Sequence, residues 1–246
     1  MKIVFLGTNG WYDTKTGNTV CVLAETKNEY IIFDAGGGLY KIDKYIKKKK
    51  PVYLLLSHFH LDHVIGLHAL NKFNFKQGLD VYGPPGLKDF FKRVINKSYT
   101  MPISMLSTCV RLHELGKKVH LPSHIEYREL KHSVLCYGYR IHSEGKIIVY
   151  CTDTGLCKGL RYLARGSDLF ITECSLRSGQ DSRGWPHLTP EKAAKVALET
   201  DAKNLALVHF DASLYLTKKD RLAAMLVSRK IFKNTFAASD GQSIKI

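Results

Sequence analysis

The sequence predicts an α/β fold in which β-sheets are layered together and helices cover the outside. Strand-like and helix-like segments alternate in both halves of the chain, and polar residues follow the carboxyl ends of several strands. With 246 residues, of which 45% are hydrophobic, the chain is long enough to bury a large core. We expect one domain over residues 1–246.

The first half of the chain is rich in strands. Short β-prone or apolar runs predict strands at Lys2–Leu6, Thr19–Ala24, Tyr30–Asp34, Val52–Leu56 and Asp80–Tyr82. Helices are expected over Leu39–Ile46, from Val64 to Leu70, and after Pro85, which stands near a first helical turn. Residues Tyr99 to His124 have no regular pattern, which is compatible with a short lid.

The second half repeats the alternation. Strands are predicted at Ile125–Leu130, Val134–Ile141, Lys146–Cys151, Leu169–Thr172 and Leu205–Val208. Thr189-Pro190-Glu191 combines an N-cap, a first-turn proline and a first-turn acid, and predicts a helix to about Glu199. A second helix is expected from Thr217 to Lys230, and Asp240-Gly241 should form a tight turn between two closing strands.

Charge and cysteine content indicate which partners and which cellular compartment to expect. The formal net charge of +15 favours encounters with phosphates and nucleic acid, although a lysine-rich composition also serves solubility alone. No apolar run approaches the ~20 residues of a membrane helix. None of the six cysteines forms a Cys-x-x-Cys pair, so reduced, mostly buried thiols are expected. These features predict a cytoplasmic protein without a membrane partner.

A cluster of metal-ligand residues follows the buried strand Val52–Leu56. His58, His60, Asp62 and His63 stand within six residues. The two histidines at alternate positions project the same way, and the following acid and histidine turn towards a neighbouring point. Imidazole and carboxylate donors suit Zn²⁺, with Mn²⁺ or Fe²⁺ as alternatives. A polar loop with scattered histidines is a poor explanation for so dense a set.

Three further candidates end or follow other predicted strands. They are His132, Asp153 and His209. Each alone is more often an ordinary turn residue than a ligand. Their recurrence at strand ends favours a shared site, because the carboxyl ends of neighbouring strands meet at one edge of a sheet.

Together these motifs resemble the metallo-β-lactamase superfamily. The ligand motifs occur in the order of that family: first His-x-His-x-Asp-His, then an isolated histidine, then the aspartate of Thr152-Asp153-Thr154, and then a final histidine. The resemblance implies an αββα four-layer sandwich with two divalent metal ions at one edge. It assigns His58, His60 and His132 to the first metal, Asp62, His63 and His209 to the second, and Asp153 to a bridge.

Other segments resemble ribonuclease Z, a branch of the superfamily that trims tRNA precursors at their 3′ ends. They include Phe5-Leu6-Gly7-Thr8, Val81-Tyr82-Gly83-Pro84-Pro85-Gly86, Gly138-Tyr139-Arg140-Ile141, Thr172-Glu173-Cys174 and His187-Leu188-Thr189. The resemblance makes Asp62, Glu173 and His187 catalytic candidates. His187 would protonate the leaving oxygen, and Glu173 would orient it. The plainer alternatives are a helix-capping histidine and a structural glutamate.

Two departures from ribonuclease Z limit the resemblance. Phe33-Asp34-Ala35-Gly36-Gly37-Gly38 replaces its usual Glu-Gly-Thr-Gln, and no long Gly/Pro-rich arm for gripping tRNA occurs between Pro85 and His132. The sequence therefore predicts a dinuclear-metal phosphodiesterase acting on RNA or a smaller phosphodiester, and the resemblance suggests a homodimer. The alternatives are an ester, lactone or thioester hydrolase with the same centre, and a non-enzymatic RNA-binding protein.

Overall fold

Two large β-sheets lie at the centre of the molecule, in a computed structural model that describes residues 1–116, 119, 121–181 and 184–246. The strands of the first half are β1 Lys2–Gly7, β2 Asn9–Gly10, β3 Cys21–Glu25, β4 Tyr30–Phe33, β5 Val52–Leu55, β6 Leu79–Gly83 and β7 Val110–Glu114. Those of the second half are β8 Ile125–Leu130, β9 Cys136–Ser143, β10 Lys146–Cys151, β11 Leu169–Glu173, β12 Leu205–Val208, β13 Phe210–Asp211, β14 Thr235–Ala237 and β15 Ser243–Lys245.

Each large sheet combines a parallel part with an antiparallel part. The first sheet has the order β15-β1-β3-β4-β5-β6-β7, and strands β4 to β7 are parallel. The second has the order β14-β12-β11-β10-β9-β8, and β10, β11, β12 and β14 are parallel. The short strands β2 and β13 pair with each other in parallel and join the two halves of the chain.

Helices cover the outer faces of both sheets. The α-helices are α1 Leu61–Val64, α2 Leu87–Val94, α3 Lys158–Ala164, α4 Pro190–Glu199 and α5 Lys218–Arg229. Three 3₁₀ helices span Gly37–Lys44, Ile65–Lys72 and Ile103–Met105 among the described residues. None of the helices in the described ranges is long and apolar enough to cross a membrane.

Period-two alternation along the strands produces the layers. In β1, Ile3 and Phe5 point into a core between the sheets, whereas Val4 and Leu6 point to a second core under the first helical layer. In β10, Tyr150 joins the central core, and its neighbours belong to a third core beneath α3, α4 and α5. This is the predicted αββα sandwich, and the fold prediction is confirmed.

The region from Tyr99 to His124 is more regular than predicted. Val110–Glu114 forms the edge strand β7, which is parallel to β6. Its apolar content is low, but Arg111 and His113 both contact the carboxylate of Asp80 on β6, at 2.6–2.8 Å. Val110 and Leu112 pack against the core on one face of β7, and the charged pairs to Asp80 connect its other residues to β6.

Other differences concern helices and the last turn. The predicted helix Leu39–Ile46 is the 3₁₀ helix Gly37–Lys44, and helix α3 was not predicted. The turn at Asp240-Gly241 is present, with Gly241 at a φ of 81°. It does not close a hairpin, because β14 belongs to the second sheet and β15 to the first. The single-domain organisation stays a prediction.

Candidate metal centre

The first cluster of donor atoms lies between the two sheets at their common edge. His58 and His60 come from the loop after β5, and His132 comes from the loop after β8. His60 Nδ1 is 2.9 Å from His58 Nε2 and 3.2 Å from His132 Nε2. Asp153, which follows β10, brings its Oδ2 to 3.8 Å from His58 Nε2 and 3.6 Å from His132 Nε2.

The second cluster lies beside the first. His209, which follows β12, places its Nε2 3.1 Å from His63 Nε2 and 3.1 Å from Asp62 Oδ2. The other oxygen of Asp153, Oδ1, is 3.0 Å from His209 Nε2 and 3.3 Å from His63 Nε2. Asp153 therefore presents one carboxylate oxygen to each cluster.

These distances fit metal coordination. Donor atoms about 2.0–2.1 Å from a tetrahedral Zn²⁺ lie roughly 3.3 Å from one another, and the separations here are 2.9–3.8 Å. Asp153 Oδ1 is buried without a hydrogen-bond partner in the described structure. A buried carboxylate oxygen of this kind needs a cation. The structure thus brings together all seven residues that the sequence singled out.

A second layer of polar groups orients the histidines. The fully buried carboxylate of Asp34 accepts a hydrogen bond from His63 Nδ1 at 2.8 Å, from Ser57 Oγ at 2.8 Å and from the Tyr150 hydroxyl at 2.7 Å. Ser57 Oγ also lies 3.0 Å from His58 Nδ1. A bond of this kind fixes the tautomer and turns Nε2 towards the metal.

His209 is oriented by different partners. Its Nδ1 lies 2.9 Å from Ser175 Oγ, whose hydroxyl hydrogen is donated to the carbonyl oxygen of His209 at 2.9 Å. The hydroxyl oxygen therefore accepts from Nδ1, and Nε2 presents its lone pair to the second cluster. Gly10 packs against this ring, because a Cβ built there would lie 2.5–2.8 Å from three imidazole atoms. Only glycine fits at that position.

Backbone strain is concentrated at the same edge. Asp34, Asp153 and His209 each follow a strand, and each has a positive φ, of 55°, 54° and 51° respectively. Trp11 also has a positive φ, of 78°. Non-glycine residues seldom adopt this conformation, and such residues gather at functional sites. Four of the six non-glycine residues with positive φ in the described part of the chain therefore lie at this edge.

The charges of the site prepare it for cations. Burial and the neighbouring His63 hold the pKa of His58 well below its ordinary value, and burial lowers the pKa of His132 to about 4. Burial opposes ionisation of Asp153, but His209 and His63 outweigh it and hold the pKa of this carboxyl well below its usual range. Burial by itself would lower the pKa values of His63 and His209, but the carboxylates of Asp153 and Asp62 outweigh it and raise both. The first cluster thus favours neutral imidazoles, whereas metal binding at the second would release protons from its histidines.

A histidine–glutamate pair lies beside both clusters. His187 Nδ1 is 2.8 Å from Glu173 Oε1, and its ring centroid is 5.5 Å from that of His132 and 6.0 Å from that of His209. Burial by itself would lower the pKa of His187, but the charge of Glu173 more than offsets it and raises the pKa to about 9. The fully buried Glu173 also accepts the backbone N–H of Thr154 at 2.5 Å. Glu173 thus favours the protonated form of His187 at the edge of the centre.

A cleft of about 360 Å³ opens over the clusters. Its walls include Trp11, Leu61, Trp185, His187 and Asp211. Trp185 stacks on His60, with ring centroids 5.3 Å apart and an interplanar angle of 12°. The metal centre is therefore accessible to a small ligand or to one segment of a larger one.

Comparison with known proteins decides the family. Residues 30–210 match the family described as "Beta-lactamase superfamily domain". The chain belongs to the beta-lactamase superfamily. The centre described above is that of a metal-dependent hydrolase of this superfamily.

Curated relatives of this beta-lactamase superfamily member include ribonuclease Z from several bacteria. Ribonuclease Z of Bacillus cereus (strain AH187) is 25% identical over 310 residues, covering 100% of this chain and 99% of the relative. Ribonuclease Z of Microcystis aeruginosa (strain NIES-843 / IAM M-2473) is 26% identical over 306 residues, covering 98% and 94%. These alignments are longer than the 246 residues of this chain, so the relatives carry segments that it lacks.

Solved structures show the same fold. The metallo-beta-lactamase fold protein YhfI from Bacillus subtilis superposes with a TM-score of 0.81 at 21% identity, covering 99% of this chain and 98% of the other. The short form of human tRNase Z gives a TM-score of 0.77 at 24% identity, covering 100% and 99%. The resemblance stated from the motifs is confirmed at the level of the superfamily and its fold.

The sequence did not reveal the residues that support the ligands. Asp34 carried a usable signal, since it is an acid directly after the buried strand Tyr30–Phe33. Ser57 and Ser175 carried none, because a serine beside a ligand is common in any loop. The tryptophans also went unnoticed, because nothing local in the sequence indicates which wall of a cleft a residue will line.

Proposed function

We propose that this protein is a dinuclear-metal phosphodiesterase with ribonuclease Z-like chemistry, acting on RNA or a smaller phosphodiester. His58, His60, His132 and Asp153 would hold the first ion, and Asp62, His63, His209 and Asp153 the second. The donor set suits Zn²⁺, with Mn²⁺ or Fe²⁺ as alternatives. When bound, two divalent cations supply the Lewis acidity and charge neutralisation that phosphodiester hydrolysis requires at neutral pH.

The observation that carries the proposal is the contact of 2.8 Å between His187 and Glu173 beside both clusters. Hydrolysis of a phosphodiester releases an alkoxide, which is a poor leaving group unless it gains a proton as the P–O bond breaks. Glu173 favours the protonated form of His187, and His187 faces the cleft, so it can supply that proton. A thiolate leaves without such help, which makes the pair less useful to a thioesterase.

The attacking water must lose a proton when its oxygen bonds to phosphorus. Asp62 is the candidate acceptor, in addition to its place in the second cluster. Burial disfavours its charged form, but His63 and His209 hold the pKa of its carboxyl below the usual range. Its Oδ2 accepts the backbone N–H of Trp11 at 2.8 Å, which fixes the carboxylate against the cleft wall. The proton gained by Asp62 and the one lost by His187 balance the reaction.

The first test is a substrate screen of the metal-loaded protein. Bis-p-nitrophenyl phosphate and a tRNA precursor with a 3′ trailer are compared with nitrocefin, an acyl-homoserine lactone and a thioester. We expect phosphodiester hydrolysis to exceed β-lactam hydrolysis by a wide margin. A clear preference for the lactone or the thioester would show that the protein is an ester hydrolase instead. RNA binding without any hydrolysis would make it a binding protein.

The second test replaces the proposed acid. His187→Ala should lower kcat by about 10²–10⁴-fold on a substrate with a ribose leaving group, and by less on a p-nitrophenyl ester. Metal content should not change. His124→Ala is the matched control, because His124 forms a similar pair with Glu29 at 2.7 Å outside the centre. Loss of a metal ion from the His187 variant, or equal losses on both substrates, would make His187 a ligand or a structural residue.

We also propose, from the resemblance and the sequence, a cytoplasmic homodimer. Four of the six cysteines are buried, Cys109 is exposed, Cys157 is partly buried, and all six are free thiols, which fits a reducing compartment. Sedimentation of the purified protein tests the oligomeric state. A monomer at micromolar concentration would refute the dimer without affecting the proposed chemistry.

A further inference from the structure

Both tryptophans of the chain line the cleft over the metal centre. Trp11 is 63% exposed and Trp185 is 42% exposed. Tryptophan side chains are on average well buried, because their large apolar surface is stabilised by contact with other groups. Two indoles exposed at the same cleft therefore indicate a surface that a ligand covers.

The two indoles are positioned by different clusters. Trp185 lies against the first, stacked on His60 and in edge contact with His132 at a centroid distance of 5.8 Å. Trp11 lies against the second, since its backbone N–H donates to Asp62 Oδ2 at 2.8 Å. The positive φ of Trp11 is uncommon for a bulky residue. This backbone conformation lets the amide reach the ligand loop while the side chain lines the cleft.

We propose that Trp11 and Trp185 are stacking surfaces for nucleobases on either side of the scissile phosphate, which makes the substrate a base-bearing, single-stranded phosphodiester. The inference rests on the proposed function. A phosphodiester held between the two clusters has two ester groups, and one indole lies beside each cluster. Every nucleobase offers a π-face, so stacking selects for bases without selecting a sequence.

The dimensions of the cleft agree with this class. A volume of about 360 Å³ is that of a small-ligand site. The tryptophans form part of the cleft walls, and bases that stack on protein must first be free of a duplex. The net charge of +15 favours the approach of a polyanion, whereas the indoles contribute short-range recognition.

Kinetics with matched substrates test the proposal. The adenylyl-adenosine dinucleotide is compared with an abasic dinucleotide that has the same sugar-phosphate backbone. Trp11→Ala and Trp185→Ala should each raise KM for the first by roughly 5- to 100-fold, as expected for the loss of one stacked base, and should change KM for the second little. Trp11→Phe and Trp185→Phe, which keep an aromatic ring, should retain most of the native affinity for the dinucleotide. Leu216→Ala, which removes a side chain that is 65% exposed outside the cleft, should have no effect.

Fluorescence separates this inference from the catalytic proposal. Since the chain has two tryptophans, both at the cleft, its indole emission reports on this surface alone. The dinucleotide and an oligoadenylate of ten nucleotides should both quench the remaining indole emission of Trp11→Phe and of Trp185→Phe, and the abasic compound should not.

The other outcomes of this measurement are distinct. If only the oligoadenylate quenches the emission, the substrate is a longer strand. Quenching without hydrolysis would refute the phosphodiesterase and keep the stacking surface. Hydrolysis of the dinucleotide without quenching, or with equal losses on the abasic compound, would refute the stacking surface alone.

Discussion

Replacing Asp34 by asparagine should weaken metal binding although Asp34 is not itself among the candidate ligands. Its Oδ2 accepts from His63, Ser57 and Tyr150, and its Oδ1 accepts the backbone N–H of Ser57 at 2.7 Å. An amide keeps one acceptor oxygen and gains two donors. In either orientation of the amide, its NH₂ group faces at least one of the buried groups that donate to Asp34.

The magnitude follows from that conflict. If the amide oxygen takes the place of Oδ2, only the Ser57 N–H loses its acceptor, and a buried unsatisfied donor costs about 1–3 kcal/mol. The charge that fixes the His63 tautomer is also lost, and a change of this kind reduces metal affinity by roughly 10- to 100-fold. We expect the second cluster to be affected first, because His63 belongs to it.

Competition with a chromophoric chelator measures the affinity of each site, and elemental analysis gives the metal content. Asp168→Asn is the matched control. Asp168 is also buried and accepts from Ile147 N at 2.9 Å and from Lys203 at 2.8 Å, but it lies away from the centre. An Asp34 variant that is less stable but binds both ions with native affinity would show that Asp34 supports the fold and does not tune the metal centre.

Three further results are expected. Asp153→Ala should abolish activity and weaken both metal sites while circular dichroism shows a native fold; full activity with two ions bound would contradict the bridging role. Gly10→Ala should displace the last histidine of the second cluster and lower the metal content from about two ions per chain towards one by elemental analysis, whereas Gly116→Ala, with open space around its Cβ, should keep both. Glu173→Gln should lower the pKa of His187. Because His187 acts as an acid only while protonated, the alkaline limb of the plot of kcat against pH should move to lower pH. An unchanged plot would show that the His187–Glu173 pair takes no part in catalysis.

The sequence predicted the layers and the ligand set because both depend on local patterns. Alternation of apolar residues sets the faces of a strand, as in Ile3 to Leu6, and a loop after a buried strand must lie at the sheet edge. Edge strand β7 escaped prediction because Val110 and Leu112 alone form too short an alternation, and its contacts to Asp80 join residues about thirty positions apart. Local reading of Val110–Glu114 cannot show that contact.

The supporting residues escaped prediction for a related reason. Asp34, Ser175 and Trp185 act through neighbours that are distant in sequence, and their residue types are common in loops. The left-handed conformations of Asp153 and His209 could not be foreseen either, because neither residue type requires them. Tertiary contacts impose these features once both sheets are in place.

The parallel pair formed by β2 and β13 has a consequence for biosynthesis. It joins Asn9–Gly10 to Phe210–Asp211, so the second cluster needs segments from opposite ends of the chain. The first cluster needs nothing beyond Asp153. The loops of both clusters are nevertheless held by sheets that include β11, β12, β14 and β15, and a domain folds as a unit. We therefore expect neither cluster to bind its ion until the carboxyl-terminal strands have left the ribosome.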